Sequence, residues 1–281
     1  MDISIIILNY KSRGLTLNCL ESIKEADFRN LKYEIIVVDN NSEDSIGEIL
    51  NWQYPDIKFI QNDKNLGMGA GNNVGVRQAQ GKYIVIMNPD TISFGDTFSL
   101  LHGYMENNSA AGVAGPLQFS PDKTIQASCF RWPGLMAPVY RRTFIGKYKF
   151  AQKDLDSYLM KDFDHKSERT VDWLLGSFLF IRSKALDKIG LFDDRFFMYL
   201  EDTDLCRRFW QNGWQVIYYP AAKIIHNHLR ESAKIPWYKA FISPTARYHI
   251  ISWIKYLRKW GIRQSQVQKL INKNKQSNFI C

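Results

Sequence analysis

Along the first 115 residues, short continuous apolar runs alternate with segments whose apolar residues recur at helical spacing. Four of the runs have the length of strands buried on both faces of a parallel sheet: residues 3–8, 34–39, 57–60 and 83–87. A glycine-rich stretch at 65–73 opens a helix that is predicted to reach Ala79 and to close at Gly81. This β-α-β-α order predicts an α/β fold with a mostly parallel, nucleotide-binding sheet flanked by helices, where ligands gather at the carboxyl ends of the strands.

The pattern fades between residues 130 and 170, where prolines lie among basic and aromatic residues; this predicts a variable surface excursion. It resumes with apolar segments at 171–176 and 178–181. A helix is predicted from Glu201 to Asn212, and a strand at 215–219 follows it.

The length of 281 residues suits one elaborated α/β domain, or one domain with an appendage. We predict a domain at 1–230, with halves at 1–115 and 116–230, and a basic helical region at 231–281. Apolar residues make up 45% of the chain, so an ordinary globular core is expected rather than disorder.

The cysteines and the lengths of the apolar stretches indicate the cellular compartment in which the protein is expected. The four cysteines are widely separated and form no CxxC motif, which argues against a disulfide framework or a zinc site and fits a reducing compartment. The longest apolar stretches fall far below the roughly 20 residues that span a bilayer. No secretory signal is evident at Met1-Asp2, so the expected location is the cytoplasm.

The positive charge is concentrated at the carboxyl-terminal end. The net charge is +9, but residues 221–281 hold 12 Lys or Arg and one Glu, a net +11, which leaves −2 for the remainder. This asymmetry indicates an anionic partner. Membrane lipid is favoured over nucleic acid, because no recognised nucleic-acid-binding module accompanies the charge.

One stripe of the predicted carboxyl-terminal helix is apolar and contains two tryptophans: Ile250, Trp253, Ile254, Leu257 and Trp260. The neighbouring basic residues lie largely outside this stripe. Two interpretations stay open: the helix contacts an anionic membrane surface, or it docks the stripe on the core of the domain.

The candidate metal ligand is Asp90, which follows the strand at 83–87 in the sequence Asn88-Pro89-Asp90. A carboxylate at the end of a buried strand suits a hard divalent cation, although an Asx turn is an equally common role. Asn88 stands where a second carboxylate would strengthen the site. Metal binding is therefore expected to depend on oxygens of a diphosphate.

A second acidic group, Glu201, Asp202 and Asp204, lies at the start of a predicted helix. Acids at this position can simply complement the helix dipole. The apolar run at 196–200 suggests instead that they emerge from a hydrophobic wall, where burial and like charge would raise a carboxylate pKa and make it a better base.

Polar residues also follow the first two predicted strands. Asp39 could accept the imide N–H of a uracil or thymine ring, with help from Asn41 and Ser42, or could cap a helix. Tyr10, next to Asn9, could stack on a base or be an ordinary tyrosine at the edge of the core.

The glycine-rich segment 67–75 does not match GxGxxG. Its amides could receive a phosphate or position a sugar, or its glycines could serve packing alone. His226 and His228 would point to opposite faces of a strand, so at most one faces a site.

Taken in chain order, these segments resemble glycosyltransferase family 2, inverting enzymes of the GT-A fold, and particularly its rhamnosyltransferase-like bacterial branch. The resemblance covers most of residues 1–230. The segments that carry it are 4–10, 37–42, 65–75, 87–90, 172–177, 190–206 and 220–226.

The resemblance implies a role for each candidate residue. Around the nucleoside and the donor it implies Asn9, Tyr10, Asp39, Asn41, Ser42, Asn65, Gly67, Asn73 and Asn88. It implies Asp90 and His226 as ligands of Mg²⁺ or Mn²⁺. Asp202 would be the general base, with Glu201 as the next candidate, and Trp173 and Gly176 would border the acceptor.

The implied function is transfer of a sugar, with rhamnose as the leading candidate, from a dTDP- or UDP-sugar to a glycan or polyprenyl-linked acceptor in bacterial surface polysaccharide synthesis. The enzyme would then work at the inner face of the plasma membrane, held there by its carboxyl-terminal region. Two other classes stay open: a nucleotidyltransferase, and a non-catalytic nucleotide- or sugar-binding protein with a membrane-binding tail.

Overall fold

The computed structural model describes residues 1–227 and 243–261. Its strands are β1 (Ile3–Asn9), β2 (Tyr33–Asp39), β3 (Lys58–Gln61), β4 (Tyr83–Met87), β5 (Thr91–Ser93), β6 (Ala111–Phe119), β7 (Ile125–Gln126), β8 (Cys129–Phe130), β9 (Arg169–Thr170), β10 (Trp173–Leu174), β11 (Phe178–Arg182) and β12 (Gln215–His226). Its helices are α1 (Arg13–Lys24), α2 (Ile46–Gln53), α3 (Met68–Val76), α4 (Thr97–Asn107), α5 (Ala137–Arg142), α6 (Lys149–Tyr158), α7 (Ser183–Ile189), α8 (Glu201–Gln211) and α9 (Pro244–Trp260), with a 3₁₀ turn at Phe144–Lys147.

One mixed sheet carries the fold, in the order β3-β2-β1-β4-β11-β6-β12-β5. The first four strands of this order are parallel to one another, as the alternating pattern predicts. β11 runs antiparallel to β4 and β6, whereas β12 runs parallel to β6. The predicted fold class is confirmed: an α/β sheet flanked by helices, with a carboxyl-terminal helix.

Both faces of the sheet are covered, which explains the unbroken apolar runs of its central strands. Successive residues of β1 point to opposite faces. Ile6 packs in a core that includes residues of α8, and Ile5 packs in a second core that includes residues of α1 and α4. The sheet is therefore rigidly held, and its strand ends are fixed positions for side chains.

Two predicted boundaries differ from the structure. α3 ends at Val76 rather than Ala79, and Gly81 packs against β1, donating its N–H to Ser4 Oγ at 2.8 Å, instead of closing the helix. β12 continues past Tyr219 to His226, because a register shift in its pairing with β6 accommodates Pro220 within the strand.

The excursion at 130–170 is largely helical, since it holds α5, the 3₁₀ turn and α6. None of the helices in residues 1–227 and 243–261 is long and apolar enough to cross a bilayer. Of the predicted basic region, residues 231–242 and 262–281 lie outside the described part of the chain, as does His228.

Helix α9 docks on the domain next to α8. Trp253 and Tyr256 are buried in a small cluster with Phe196, and Trp260 packs against it. Ile250 and Ile254, which share the predicted stripe, stay exposed. The tryptophans of α9 therefore face the domain and not a membrane.

Candidate functional site

The site begins where three neighbouring parallel strands end. β1 pairs in register with β2, which sets Asn9 opposite Asp39, and β4 pairs with the other side of β1. Asn88, Pro89 and Asp90 follow β4 at the same edge. Parallel pairing thus brings together polar residues that are far apart in sequence, at the edge where such sheets bind ligands.

Asp39 is held by a dense set of hydrogen-bond donors. It is 1% exposed, and it accepts from Asn9 Nδ2 at 2.6 Å, from the Ser42 backbone N–H at 2.8 Å and from Gln61 Nε2 at 2.8 Å. Burial acts to raise the pKa of Asp39, but the hydrogen bonds from Ser42, Asn9 and Gln61 together hold that pKa below its usual value. The carboxylate is therefore ionised at neutral pH and fixed in position.

A cavity of about 480 Å³ opens beside Asp39 and is also lined by Asn41, Gln61 and Asn62. Asn41 adopts a left-handed backbone conformation with φ +61°, which asparagine tolerates well. Tyr10 is exposed beyond Asn9. The arrangement offers a carboxylate acceptor in a recess large enough for a planar heterocycle.

Asp90 and His226 form a second group, where β12 pairs with β5. His226 Nε2 lies 3.4 Å from Asp90 Oδ1, and His226 Nδ1 lies 2.8 Å from Gln126 Oε1. Gln126 Oε1 can accept a hydrogen bond from Nδ1–H, and the other ring nitrogen, Nε2, faces Asp90. Asp90 Oδ1 is buried and makes no hydrogen bond within the described residues.

The two side chains fit a divalent cation as a pair of ligands. A carboxylate oxygen and an imidazole nitrogen are both ligands for Mn²⁺, and the carboxylate suits Mg²⁺. The described part of the chain brings no group of three or more such side chains together, so a bound cation would need further oxygens from its substrate.

The acids at the start of α8 have separate environments. Asp202 accepts from the Gly176 N–H at 2.9 Å and from the Thr203 N–H at 2.6 Å. Glu201 Oε2 is buried, and none of the described residues donates to it. Burial raises the pKa of both groups, and the charge of Asp202 helps to raise that of Glu201 to about 8. The donors stabilise ionised Asp202, so Glu201 is the one that keeps a proton at neutral pH.

Strained backbone leads into these acids. Tyr199 and Leu200 both have positive φ, +71° and +69°. Each such residue costs of order 1–3 kcal/mol, and this strain concentrates at functional sites. The double turn directs the chain from the apolar run into α8, so that Asp202 meets Gly176.

Asp204, by contrast, belongs to the packing of α9. It is fully buried, and it pairs with Arg208 Nε at 2.9 Å, Lys259 Nζ at 2.7 Å and Trp260 Nε1 at 2.8 Å. Three cationic or polar donors leave it no freedom to serve a substrate. The cluster of three acids in the sequence therefore divides into a candidate site and a structural ion pair.

Trp173 and Gly176 lie on the same side as Asp202. Trp173 is buried, its ring stacks on Phe130 at 4.3 Å, and its indole N–H donates to the Arg131 carbonyl at 3.0 Å. A side chain at Gly176 would come within 3.2 Å of Asp202 Cβ. Gly176 thus allows the close approach of Asp202. Trp173 is fixed nearby by its contacts with Phe130 and Arg131.

The glycine-rich segment is packed closely against the rest of the site. Gly67 has φ +84°, and an added Cβ would overlap the Phe197 carbonyl oxygen. Its N–H donates to Asn65 Oδ1 at 2.8 Å. Asn73 donates to the Phe192 carbonyl at 2.8 Å and to Asp194 at 2.7 Å. These contacts tie α3 to the segment before α8, and the predicted donor-binding roles of Asn65, Gly67 and Asn73 stay predictions.

The two acidic groups are joined by the backbone. The Asn88 N–H donates to the Ser177 carbonyl at 2.9 Å, and the adjacent Gly176 N–H donates to Asp202. The loop that carries Asp90 and the carboxylate of Asp202 are therefore separated by one short stretch of chain. Sequence reasoning missed Gln61 and Gln126, whose partners come from distant elements and leave no local signal.

Known proteins with similar sequences place the chain among sugar transferases. A family model described as Glycosyl transferase family 2 matches residues 4–163. Over 260 residues the chain is 27% identical to rhamnosyltransferase WbbL of Escherichia coli, which covers 90% of this chain and 91% of the relative. It is 27% identical over 213 residues to N-acetylglucosaminyl-diphospho-decaprenol L-rhamnosyltransferase of Mycobacterium tuberculosis, covering 72% of this chain and 69% of the relative.

Solved structures of glycosyltransferases have a fold similar to that of this chain. Mannosyltransferase PcManGT of Pyrobaculum calidifontis, solved with GDP-Man and Mn²⁺, superposes with a TM-score of 0.56 over 97% of this chain and 73% of its own, at 17% identity. The chain spans a smaller share, 60%, of the S. aureus TarS 1-349 structure, with a TM-score of 0.56 and 16% identity.

Proposed function

The chain belongs to glycosyltransferase family 2, and from that premise we propose that it transfers a sugar from a nucleoside-diphosphate donor to a hydroxyl of a glycan or lipid-linked acceptor, with inversion at the anomeric carbon. Rhamnose carried by dTDP or UDP is the proposed donor, because two relatives are named rhamnosyltransferases. The product would enter a bacterial surface polysaccharide.

The observation that carries the proposal is the hydrogen-bonded chain from Asn88 through Ser177 and Gly176 to Asp202. Transfer to a hydroxyl needs a base on one side of the anomeric carbon and a stabilised leaving group on the other. Asp202 and Asp90 supply these two functions from adjacent segments. A non-catalytic binding protein would have no need for a carboxylate of raised pKa at this place.

Asp202 is proposed to remove the proton of the acceptor hydroxyl as the new bond forms. Glu201 is its neighbour and holds the proton that the pair shares, which leaves Asp202 ionised. A positioned base typically contributes 10²- to 10⁴-fold in rate. Gly176 and Thr203 orient the carboxylate through their N–H groups.

At the donor end, Asp39 is proposed to accept the imide N–H of uracil or thymine in place of its Gln61 contact, while Tyr10 stacks on the ring. Asn9 and Ser42 orient Asp39, and Asn41 borders the recess. Since Asp39 is ionised, the hydrogen bond from the base would be charge-assisted.

Asp90 and His226 are proposed to hold Mg²⁺ or Mn²⁺, with Gln126 fixing the imidazole. When bound, such an ion offsets the negative charge that develops on the leaving nucleoside diphosphate. Asn88 supplies no charge, so the diphosphate would complete the coordination. Attack from the side of Asp202, opposite the diphosphate, inverts the anomeric carbon.

The acceptor is proposed to be a glycan on a polyprenyl diphosphate, as the name of the M. tuberculosis relative indicates for that protein. Trp173 and Gly176 would border it. The enzyme would then work as a peripheral protein at the inner face of the plasma membrane.

Thermal stabilisation by UDP, dTDP, GDP and CDP, each with and without Mn²⁺, tests the proposal directly. We expect one of the two uracil or thymine nucleotides to raise the Tm, more so with Mn²⁺, and the Mn²⁺-dependent part to be lost in Asp90→Ala. If no nucleotide raises the Tm of the wild type, the transferase proposal is wrong.

A further inference from the structure

The excursion that follows β8 presents a surface that is both apolar and basic. α5, the 3₁₀ turn and α6 pack against one another. They leave five large apolar side chains exposed, which we call the insertion patch: Leu135, Met136, Phe144, Tyr148 and Phe150. The three aromatic members are 57, 56 and 59% exposed. Single exposed apolar residues are ordinary, whereas contiguous groups of them are typical of interaction sites.

Two of the aromatic members of the patch are held by ring contacts. The Tyr148 and Phe150 rings stack with centroids 6.0 Å apart, and Tyr140 meets Phe150 edge-on at 5.9 Å. An added Cβ at Gly146 would overlap the Tyr140 carbonyl oxygen, so the 3₁₀ turn is pressed against α5. Its aromatic rings are therefore presented outward by a defined backbone.

The segment that carries the patch is basic, and acids flank it at Asp122, Asp154 and Asp156. From Lys123 to Lys153 the chain has seven Lys or Arg and no Asp or Glu. Lys147 and Lys149 are exposed on either side of Tyr148. Phenylalanine rings flanked by tyrosine and lysine match the interface of an anionic bilayer, where rings enter the headgroup region and cations meet lipid phosphates.

The patch is connected to the site through buried aromatic residues. α6 ends at Tyr158, whose ring stacks on Phe130 at 5.6 Å, and Phe130 stacks in turn on Trp173. The Arg131 N–H also donates to the Tyr158 carbonyl at 3.1 Å. A surface that seats on a bilayer here would be fixed relative to Trp173 and the proposed acceptor side.

We propose that the insertion patch seats the protein on an anionic lipid bilayer, in place of the tryptophans of α9. Trp253 and Trp260 are committed to the domain, the latter through its hydrogen bond to Asp204. That the bilayer also carries the acceptor rests on the proposed function; the contact itself does not.

Co-sedimentation of the full chain with lipid vesicles at low salt tests the proposal. We expect binding to equimolar phosphatidylglycerol and phosphatidylcholine, and much weaker binding to phosphatidylcholine alone. The variant F144S/Y148S/F150S should lower partitioning by about tenfold or more, and K147Q/K149Q should lower only the part that depends on phosphatidylglycerol. Trp52→Ser is the matched control, because Trp52 is 80% exposed on α2, away from the excursion.

A wild type that ignores both vesicles, or a triple variant that binds as well as the wild type, overturns the proposal. So does a wild-type dimer that the triple variant converts to a monomer, or RNA binding that the triple variant abolishes while vesicle binding persists. The assay contains no nucleotide. Vesicle binding without any nucleotide effect on Tm would therefore refute the proposed function alone, and the converse would refute this inference alone.

Discussion

The Gly176 backbone N–H donates a 2.9 Å hydrogen bond to Oδ2 of Asp202, and this contact joins α8 to the chain just before β11. Because β11 pairs with β4, the carboxylate is positioned relative to the strand that Asn88 follows. A side chain at position 176 would crowd this contact, since an added Cβ would lie 3.3 Å from Asp202 Oδ2 and the carboxylate would have to shift by a few tenths of an ångström. Asp202 and the edge of the sheet that carries Asn88 are thus positioned by the same sheet.

Asp202→Asn should abolish most of the activity and leave donor binding intact. The amide keeps the size of the side chain but cannot take the acceptor proton, so kcat should fall by about 10²- to 10⁴-fold. Steady-state transfer and nucleotide titration of the same sample measure the two effects. Asp187→Asn, an exposed change on α7, is the control. If kcat is unchanged in Asp202→Asn, Asp202 is not the general base.

Gln126→Leu should weaken metal binding although Gln126 touches no metal. Its Oε1 lies 2.8 Å from His226 Nδ1 and orients the ring, and loss of such a partner typically costs 10- to 100-fold in metal affinity. Titration of Mn²⁺ in the presence of nucleoside diphosphate gives the affinity without turnover. Gln78→Leu, on the surface after α3, serves as the control; an equal loss in both would assign the effect to folding.

Glu201→Gln should change how stability depends on pH. The pKa of Glu201 is raised from 4.5 to about 8, so the folded protein keeps a proton that the unfolded chain releases in that window. The free energy of unfolding therefore falls as pH rises from about 4.5 to 8. The variant should lose this fall and gain up to about 5 kcal/mol relative to wild type at pH 8, at about 1.36 kcal/mol per pKa unit.

Urea unfolding at pH 5 and pH 8 measures this difference. Glu48→Gln, an exposed change on α2, controls for the loss of a surface charge. A Glu201→Gln variant whose stability parallels that of the wild type at both pH values would mean that Glu201 is not the proton-bearing member of the pair.

The sequence predicted the parallel half of the sheet because strands covered on both faces need continuous apolar runs. Asp39, the last residue of β2, and Asp90, which follows β4, were identifiable as candidate site residues for the same reason. The helix at 201–212 was also predicted, since it has clear end signals. These features depend on local sequence, which is the information that a single chain carries most directly.

Contacts between distant segments were not predictable. Gln126 and His226 are 100 residues apart, and β7 is too short for any periodic pattern. Asp202 and Asp204 look alike in sequence. Of the two, it is Asp204 that pairs with Lys259 and accepts a hydrogen bond from Trp260 of α9. The difference between a candidate base and a structural acid was set by a helix more than 50 residues away.

Gly67→Ala should be strongly destabilising, whereas Gly14→Ala should not. Gly67 has φ +84° and no room for a methyl group next to the Phe197 carbonyl. Gly14 lies in α1 with no atom within 4 Å of an added Cβ. We expect a loss of about 2 kcal/mol or more at Gly67 and a gain of up to about 1 kcal/mol at Gly14. Denaturant unfolding of the two variants measures these changes in stability. Similar changes in both would contradict the packing described for Gly67.

Tyr256→Phe should show that α9 is part of the folded domain. The Tyr256 hydroxyl is 2.9 Å from Nη1 of Arg207, a guanidinium that is 2% exposed and lies over the rings of Trp132 and Trp260. Removing the hydroxyl leaves a buried charged donor without that partner, which should cost about 1.5–3 kcal/mol. Tyr148→Phe, at an exposed ring, should cost nothing measurable. If the two variants unfold at the same denaturant concentration, α9 does not dock on α8 in solution.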